Sequence, residues 1–489
     1  MIRLSRLALL SLVLSFQPTF FASAHDDTPT RGISPKLISQ GDIPFTITKS
    51  GEYELTENVS LSGSGNAITI KANNVKLNLG SFSITLTNPA ANGVLVEGCS
   101  EFVIESDSIH NTSSGNQTGC GILVRNVQKG LISGVFTKNH ADGLRIKNSS
   151  DIRVQSSGFS HAKSNGASVI NSKNVVFDAC VFDGSKHGLT FSGANQDCSV
   201  LHSMFPSSKF TNLLVQQMSG MLVQDCSFSE VDGNSKKPSL VQFGDKDPTQ
   251  TCKDVILKNC TIVNKSTNTA PEGLGIYQGS GFLVESCVID TTNVGQDPAA
   301  DLSGIHISNP GLGTIASNVI VRNCVIQGSP TDGIYPDTGP GGGAGSSGVL
   351  IEGCLVSGAL KDGIFLAGTS ASTVRDCTVV NNGTNGIFLG ETCVSNAVVG
   401  NTVASNGFAI IGSSLLPQGA GIGITSDSSK NTVQYNQVFS NANNGINDLG
   451  AGDTFYYNTA YNNPTNYSAG ILNVSTPGAA AKAGENIAQ

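Results

Sequence analysis

Val255-Ile256-Leu257-Lys258-Asn259-Cys260-Thr261-Ile262 is a phrase that the chain repeats. It returns as Leu222-Val223-Gln224-Asp225-Cys226-Ser227-Phe228 and as Val319-Ile320-Val321-Arg322-Asn323-Cys324-Val325-Ile326. Aligned on the small residue near its end, the copies form one column: Ser157, Cys180, Ser203, Cys226, Cys260, Cys287, Cys324, Cys354, Cys377, Asn401, Asn436 and Asn458. Successive members lie 23, 23, 23, 34, 27, 37, 30, 23, 24, 35 and 22 residues apart. A base unit of about 23 residues, lengthened in places by insertions, is the signature of a repeat architecture. Within a unit, inward and outward residues alternate with the period of a strand, not of a helix. A β-unit this short cannot close its own core, but stacked coils cover one another. The repeat therefore predicts one all-β domain, a single-stranded right-handed parallel β-helix.

A second column runs ahead of the first, in Gly143-Leu144, Gly166-Ala167, Gly275-Ile276, Gly304-Ile305, Gly333-Ile334, Gly363-Ile364 and Gly386-Ile387. Asn or Asp often precedes the glycine, as at Asp142, Asn165, Asp332, Asp362 and Asn385. Asn-Gly and Asp-Gly supply the positive φ that a tight turn needs. Each unit is thus a turn, a strand opening at the Gly-apolar pair, and a second strand ending at the Cys/Asn column. Counting second strands from Val75 to the one ending near Asn458 gives a solenoid of about fifteen rungs, roughly 70 Å long at about 4.8 Å per rung.

Residues 1–24 read as a secretory signal peptide. Arg3 and Arg6 precede an apolar run from Leu7 to Phe16, and Ala22-Ser23-Ala24 offers a small-residue cleavage site. The run is shorter than a bilayer requires, and no later stretch reaches that length, so no membrane span is expected. The protein is expected to be exported: periplasmic, cell-surface or secreted. Residues 25–65, with strands at Pro44–Thr48 and Gly51–Leu55, are expected to form an N-terminal cap over the open end of the stack. The β-helix is expected over residues 66–475, and residues 476–489, rich in Ala and Gly, as a flexible tail.

The 57 glycines and 13% charged residues suit turn-rich stacked strands, and the net charge of −8 argues against nucleic acid as a partner. Seven of the twelve cysteines share the column with Ser and Asn. That marks them as small packed residues. Cys99, Cys252 and Cys393 form a second ladder, eight residues before Asp107, Cys260 and Asn401. Neither spacing resembles a zinc site, and no metal ligands are assigned. Rung-to-rung Cα separations also lie within disulfide reach.

The insertions gather in the second half: Asp232–Thr251, Val263–Glu272, Thr291–Ser303, Asn309–Ile315, Pro336–Ser347 and Phe408–Gly419. Long loops on a rigid scaffold are common seats of function. In the same half, the residue after each Gly-apolar pair reads Tyr277, His306, Tyr335, Phe365 and Phe388, an outward column of rings. Rings along a groove suit the apolar faces of sugars, so these are the candidate substrate-binding residues for a polysaccharide. The same column also fits ordinary stacking of β-favouring aromatics. Beside it lie Asp332, Asp337 and Asp362, the candidate catalytic carboxylates, with His306 as candidate general base. Glu272 and Asp301 are nearby in sequence. The carboxylate oxygens equally suit Ca2+ as a cofactor, and Asp332 and Asp362 also read as turn residues bonded to backbone.

The Gly-apolar and Asn-Cys columns resemble those of the parallel β-helix repeat proteins of the pectin-lyase-like superfamily, over roughly residues 66–475. The resemblance implies the fold. It also implies either of two functions: an exported protein that binds, and as a polysaccharide lyase, glycoside hydrolase or uronan epimerase acts on, a polysaccharide, or a non-catalytic structural or adhesive cell-surface rod. Arg145-Ile146-Lys147 resembles the Arg-Ile-Lys of polygalacturonases, without that family's companion motifs. Asp332-Gly333-Ile334-Tyr335-Pro336-Asp337 loosely resembles the Tyr-Gly-Phe-Asp-Pro-His of mannuronan epimerases, with Asp337 at the His position and Tyr335 before the proline.

Overall fold

The computed structural model describes residues 34–231, 239–245, 250–264, 272–292, 302–308, 316–338, 345–408, 419–468, 471, 474–475 and 485–488. Residues 1–24 and most of the inserted loops lie outside them. Within the described residues the chain is a right-handed parallel β-helix with strands in two sheets, one of 17 strands and one of 33. Each strand pairs in parallel with its counterpart one turn later. Ser227 pairs with Thr261, Thr261 with Val288, Val288 with Val325, Val325 with Leu355 and Leu355 with Thr378. Cys226, Cys260, Cys287, Cys324, Cys354 and Cys377 therefore stand one above another, as the repeat requires. All twelve cysteines are buried free thiols.

Alternation explains the core. In Val255–Leu257 the outer two residues are buried and Ile256 is half-buried. Rings stack along the interior as they do in a crystal of flat molecules: Phe159, Phe182, Phe205 and Phe228 follow one another at centroid distances of 5.4, 4.7 and 4.7 Å. Outside, Lys258, Glu285, Arg322, Glu352 and Arg375 occupy successive positions of one column. Their signs alternate, and Glu285 pairs with both Lys258 (3.0 Å) and Arg322 (2.6 Å).

The parallel ladder runs on at both ends. Lys36–Ile38 and Gly51–Leu55 belong to the 17-stranded sheet, and Gly51–Leu55 runs parallel with Val75–Asn78. Tyr53 and Leu55 carry the inward alternation of a regular rung. Two more strands thus precede the fifteen counted from Val75. At the other end, Asn486–Ala488 pairs with Thr459 and Ala460, and Asn486 occupies the Cys/Asn column. Part of the expected tail is the last rung. Within the Asp232–Thr251 insertion, Ser239–Phe243 forms a strand between Met204–Val215 and Glu272–Tyr277.

A sharp bend precedes each small residue of the column. The residue there has positive φ in turn after turn: Ala179, His202, Asp225, Asn259, Ser286, Asn323, Gly353, Asp376 and Gly400. The bend points the next side chain into the wall, where it must satisfy the backbone of its own and neighbouring turns. Ser203 donates to the carbonyl of Leu201 at 2.8 Å, and Cys287 approaches that of Glu285 at 3.3 Å. Asparagine does more. Asn436 accepts from the backbone N–H and side-chain amide of Asn401 (2.9 and 3.0 Å) and donates to Val398 and Asn458 (both 2.9 Å). A parallel ladder joins Asn382, Asn406, Asn441 and Asn463.

Two substitutions should separate these roles. Cys287→Ser should cost about 1–3 kcal/mol, since serine makes the same bond elsewhere in the column. Asn436→Ala leaves several buried partners unsatisfied and should cost about 3 kcal/mol or more in urea unfolding. The native thiols should resist alkylation, because all twelve are buried, and burial pushes Cys180 of the column up to about 11. Rapid labelling of the native column would contradict its inward packing.

Candidate functional site

The register around Tyr277 is not the one its sequence suggests. Gly273-Leu274-Gly275-Ile276 offers two Gly-apolar pairs, and the strand Ser239–Phe243 selects the first by pairing Val241 with Leu274. Leu274 then pairs with Ile305, and Gly275, not Tyr277, lies beside His306. Packing agrees: a Cβ on Gly273 would lie 2.5 Å from the Gly304 oxygen, as one on Gly304 would lie 2.7 Å from that of Gly333. Tyr277 is two residues beyond the column to which it was assigned.

This shift puts Glu272 in the turn position that Asp332 and Asp362 hold later. Glu272 is buried, 1% exposed, and opposite Ser239. Its Oε2 accepts from the Ser239 hydroxyl at 2.9 Å and, closely, from the Tyr277 hydroxyl. Its Oε1 faces His306 Nδ1 at 2.8 Å, and His306 Nε2 faces Asp337 Oδ2 at 3.1 Å. The imidazole is clamped between two carboxylates, with its side chain 11% exposed. Burial alone would favour the neutral ring, but Glu272 and Asp337 outweigh it and raise the pKa to about 10. At neutral pH His306 is an imidazolium donating from both nitrogens. In this state it orients carboxylates and has no lone pair with which to take a proton. Burial and the adjacent Glu272 carboxylate push the Tyr277 phenol well above its ordinary value.

The rings form a ladder. Tyr277 meets His306 edge-on at 5.7 Å, His306 stacks on Tyr335 at 5.2 Å, and Tyr335 on Phe365 at 5.2 Å. Phe365 and Phe388 follow at 5.1 Å. The rung spacing brings rings in consecutive turns within stacking distance, so Tyr335 has His306 on one face and Phe365 on the other. Tyr277, Tyr335, Phe365 and Phe388 are half-buried. The ladder offers mainly edges to solvent, whereas the sequence suggested open faces.

Asp332 and Asp362 serve the turn ladder. Asp332 Oδ1 accepts the Asp362 backbone N–H at 2.9 Å. Asp362 Oδ1 accepts the backbone and amide of Asn385 (2.7 and 2.9 Å) and, closely, the Thr384 hydroxyl. Asn385 in turn accepts from Ala420 at 2.7 Å. These bonds run to the next turn, not to the residue's own backbone. Burial pushes Asp362 upward. The structure thus brings together His306 and Asp337, adds Glu272 and Ser239, and leaves Asp332 and Asp362 in the scaffold. The signal for Glu272 was its Glu-Gly pair, matching Asp332-Gly333 and Asp362-Gly363. Among the described residues no three His, Cys, Asp or Glu side chains are grouped to hold a metal ion. Arg145 is tied to Asp142 at 2.6 Å.

The family described as right handed beta helix region matches residues 45–205, 249–416 and 345–464. The chain belongs to this right-handed β-helix family. No curated protein matches the sequence. Among solved structures, the A-module of a mannuronan C-5 epimerase of Azotobacter vinelandii is 12% identical, with 90% of each chain covered and a TM-score of 0.30. Tailspike protein 3 of bacteriophage CBA120 is 13% identical, with 89% of this chain and 59% of that chain covered and a TM-score of 0.35. The surface protein and adhesin of Streptococcus pneumoniae is 12% identical, with 72% and 90% covered and a TM-score of 0.40. At these scores the likenesses carry no functional argument for this β-helix protein. No helix among its described residues is long and apolar enough to cross a membrane.

The clamp predicts a pH dependence. A histidine raised from about 6.5 in the unfolded chain to about 10 in the fold stabilises fully below about pH 6.5. That stabilisation is lost as pH rises through about 10. Urea midpoints should fall between those values, and the fall should be smaller in His306→Gln. His306→Gln should itself lose about 3–5 kcal/mol at pH 7, since Glu272 is left buried without its counter-charge. An imidazole that titrates near 6.5 in the folded protein, followed by NMR, would refute the clamp.

Proposed function

We propose that this is an exported β-helix protein that binds a polysaccharide along the face bearing Tyr277, His306, Tyr335, Phe365 and Phe388. Asp337, held by the His306 imidazolium, is the carboxylate that acts on the bound sugar. The reading is carried by the Glu272–His306–Asp337 array. A buried charged histidine between two carboxylates costs desolvation that a purely structural turn elsewhere in the chain does without. Such arrays fix a carboxylate where a ligand meets the surface; Asp337 is the most exposed of the three, and Tyr335 stacks on His306 beside it. His306 is the positioning residue, Tyr335 and Asp337 contact the sugar, and Asp332 and Asp362 hold the turns that carry them. Export rests on the charged and apolar pattern of residues 1–24.

The competing reading is a non-catalytic structural or adhesive surface rod. The ring ladder, stacked from His306 through Tyr335 to Phe365, favours it, since a ladder stabilises a solenoid with no ligand at all. The fold hosts both kinds of function and does not choose between them.

A panel of acidic and neutral polysaccharides, scored for binding and for products, should decide. Tyr335→Phe keeps the ring ladder and removes the hydroxyl, and should weaken binding about tenfold with the unfolding midpoint unchanged. Asp337→Asn should lower turnover by orders of magnitude while binding stays within a few fold. Binding without products in the wild type would leave the rod with adhesive function. No binding anywhere on the panel would remove the polysaccharide reading of this face.

A further inference from the structure

The positive-φ bend before the Cys/Asn column is filled by residues small or polar enough to tolerate it, except in its last two occurrences. There it holds Tyr435 (φ 60) and Tyr457 (φ 58). A bulky residue in this region is strained relative to Asn, Asp or Gly. Burial would offset the strain, but Tyr435 is 55% and Tyr457 43% exposed. Strain retained at the surface points to a use for the ring.

The two rings stack at 4.9 Å and 7°, so Tyr457 backs one face of Tyr435. The other face looks toward the preceding turn, where the same position is Gly400 and has no side chain. One turn further, Asp376 is exposed and leans over the gap. Its Oδ1 lies 2.8 Å from where a Gly400 Cβ would be. Asp376 and Tyr435 stand two rungs apart, roughly 10 Å between their backbones, and the carboxylate's reach toward Gly400 narrows the notch between them. An aromatic face closes one end, a carboxylate the other, and Gly400 and Thr402 floor it. Beyond the bend, at the end of the strand Gln437–Phe439, Phe439 stacks on Tyr461 at 4.8 Å and 7°. Where the turn of Gly400 carries Thr402 and Ala404, the next turn carries Gln437 and Phe439 in the same positions. The surface therefore steps up at this turn into a ledge faced by two ring stacks.

We propose that this ledge is a second glycan site, distinct from the Tyr335 face, and that it takes a neutral polysaccharide. One pyranose lays its C–H face on Tyr435, and hydroxyls on its other side donate to Asp376. A neighbouring sugar reaches toward Phe439. The Asp376 carboxylate and the net charge of −8 disfavour uronates. Two flat stacks side by side fit a chain of repeating apolar faces better than a single ammonium over one ring.

The test is calorimetric titration of the full chain with cellohexaose, mannohexaose and xylohexaose, and with trigalacturonate and pentalysine as charged controls. At least one neutral hexaose should bind. Tyr435→Asn should weaken it tenfold or more while the thermal midpoint stays equal or rises, because Asn accepts the bend readily. Asp376→Asn should weaken it several-fold. No neutral hexaose binding, equal affinity in Tyr435→Asn, or preference for pentalysine would overturn the proposal. So would a wild-type dimer in light scattering that Tyr435→Asn dissociates, since the rings would then belong to a contact between copies.

Discussion

Everything in this molecule answers to one constraint, the parallel hydrogen-bond ladder that sets each turn about 4.8 Å above the last. Any side chain in the wall finds its counterpart from the next turn at that distance, so each column must be compatible with itself. Thiols, hydroxyls, amides and rings satisfy this by stacking, as from Cys226 to Cys377 and from Phe159 to Phe228. Charges cannot stack on like charges, and the outer column from Lys258 to Arg375 alternates in sign instead. Each exposed pair in it contributes little energy. A one-turn slip would bring like charges together, however, so the alternation favours the native register over its nearest competitor.

The same constraint explains what could be read in advance. The Cys/Asn column was legible because a wall position repeats on the chain's own period, whatever the insertions between turns. Its members keep their bend and their bond to the carbonyl two residues back, whether the residue is Ser203 or Cys287. The ring column from His306 to Phe388 was legible for the same reason. Its meaning was not, because a list of outward residues says nothing about what covers their faces. Rung spacing decides that, and it closes the faces on one another. Tyr277 failed differently. Two Gly-apolar pairs in a row give two registers of equal local quality, and only the strand at Ser239–Phe243, hidden in what reads as an insertion, chooses between them. The ladder through Asn382, Asn406, Asn441 and Asn463 keeps the column's spacing five residues further on, and only the structure shows its amides bonded from turn to turn.

The candidate site follows from that choice of register. Had Gly275 taken the column position, Glu272 would not stand in the turn slot beside the His306 strand. In that slot, Asp332 and Asp362 have side chains of a length that reaches the next turn's backbone N–H. Glu272 is longer by one methylene and reaches instead to the imidazole of the following strand. The substitution thus turns a scaffold bond into a charge array. Removing two carboxylates and an imidazolium from water is expensive. Mutual pairing, together with the hydroxyls of Ser239 and Tyr277, offsets that cost and gives both imidazole nitrogens and both Glu272 oxygens a partner.

Function in a repeat protein is therefore best sought where a column breaks its own rule. Most positions are explained by self-compatibility alone, and Asp332 and Asp362 belong with them despite being carboxylates near the site. Glu272 in an aspartate slot, a charged histidine within a ring ladder, and tyrosines at a bend made for small residues are not so explained. Each carries a local cost, in desolvation or in backbone strain, that its neighbours one turn away avoid with a cheaper residue. The repeat supplies its own control at every such position. Because the turns are otherwise alike, the difference between a rule-breaking residue and its column mates isolates what the fold does not require.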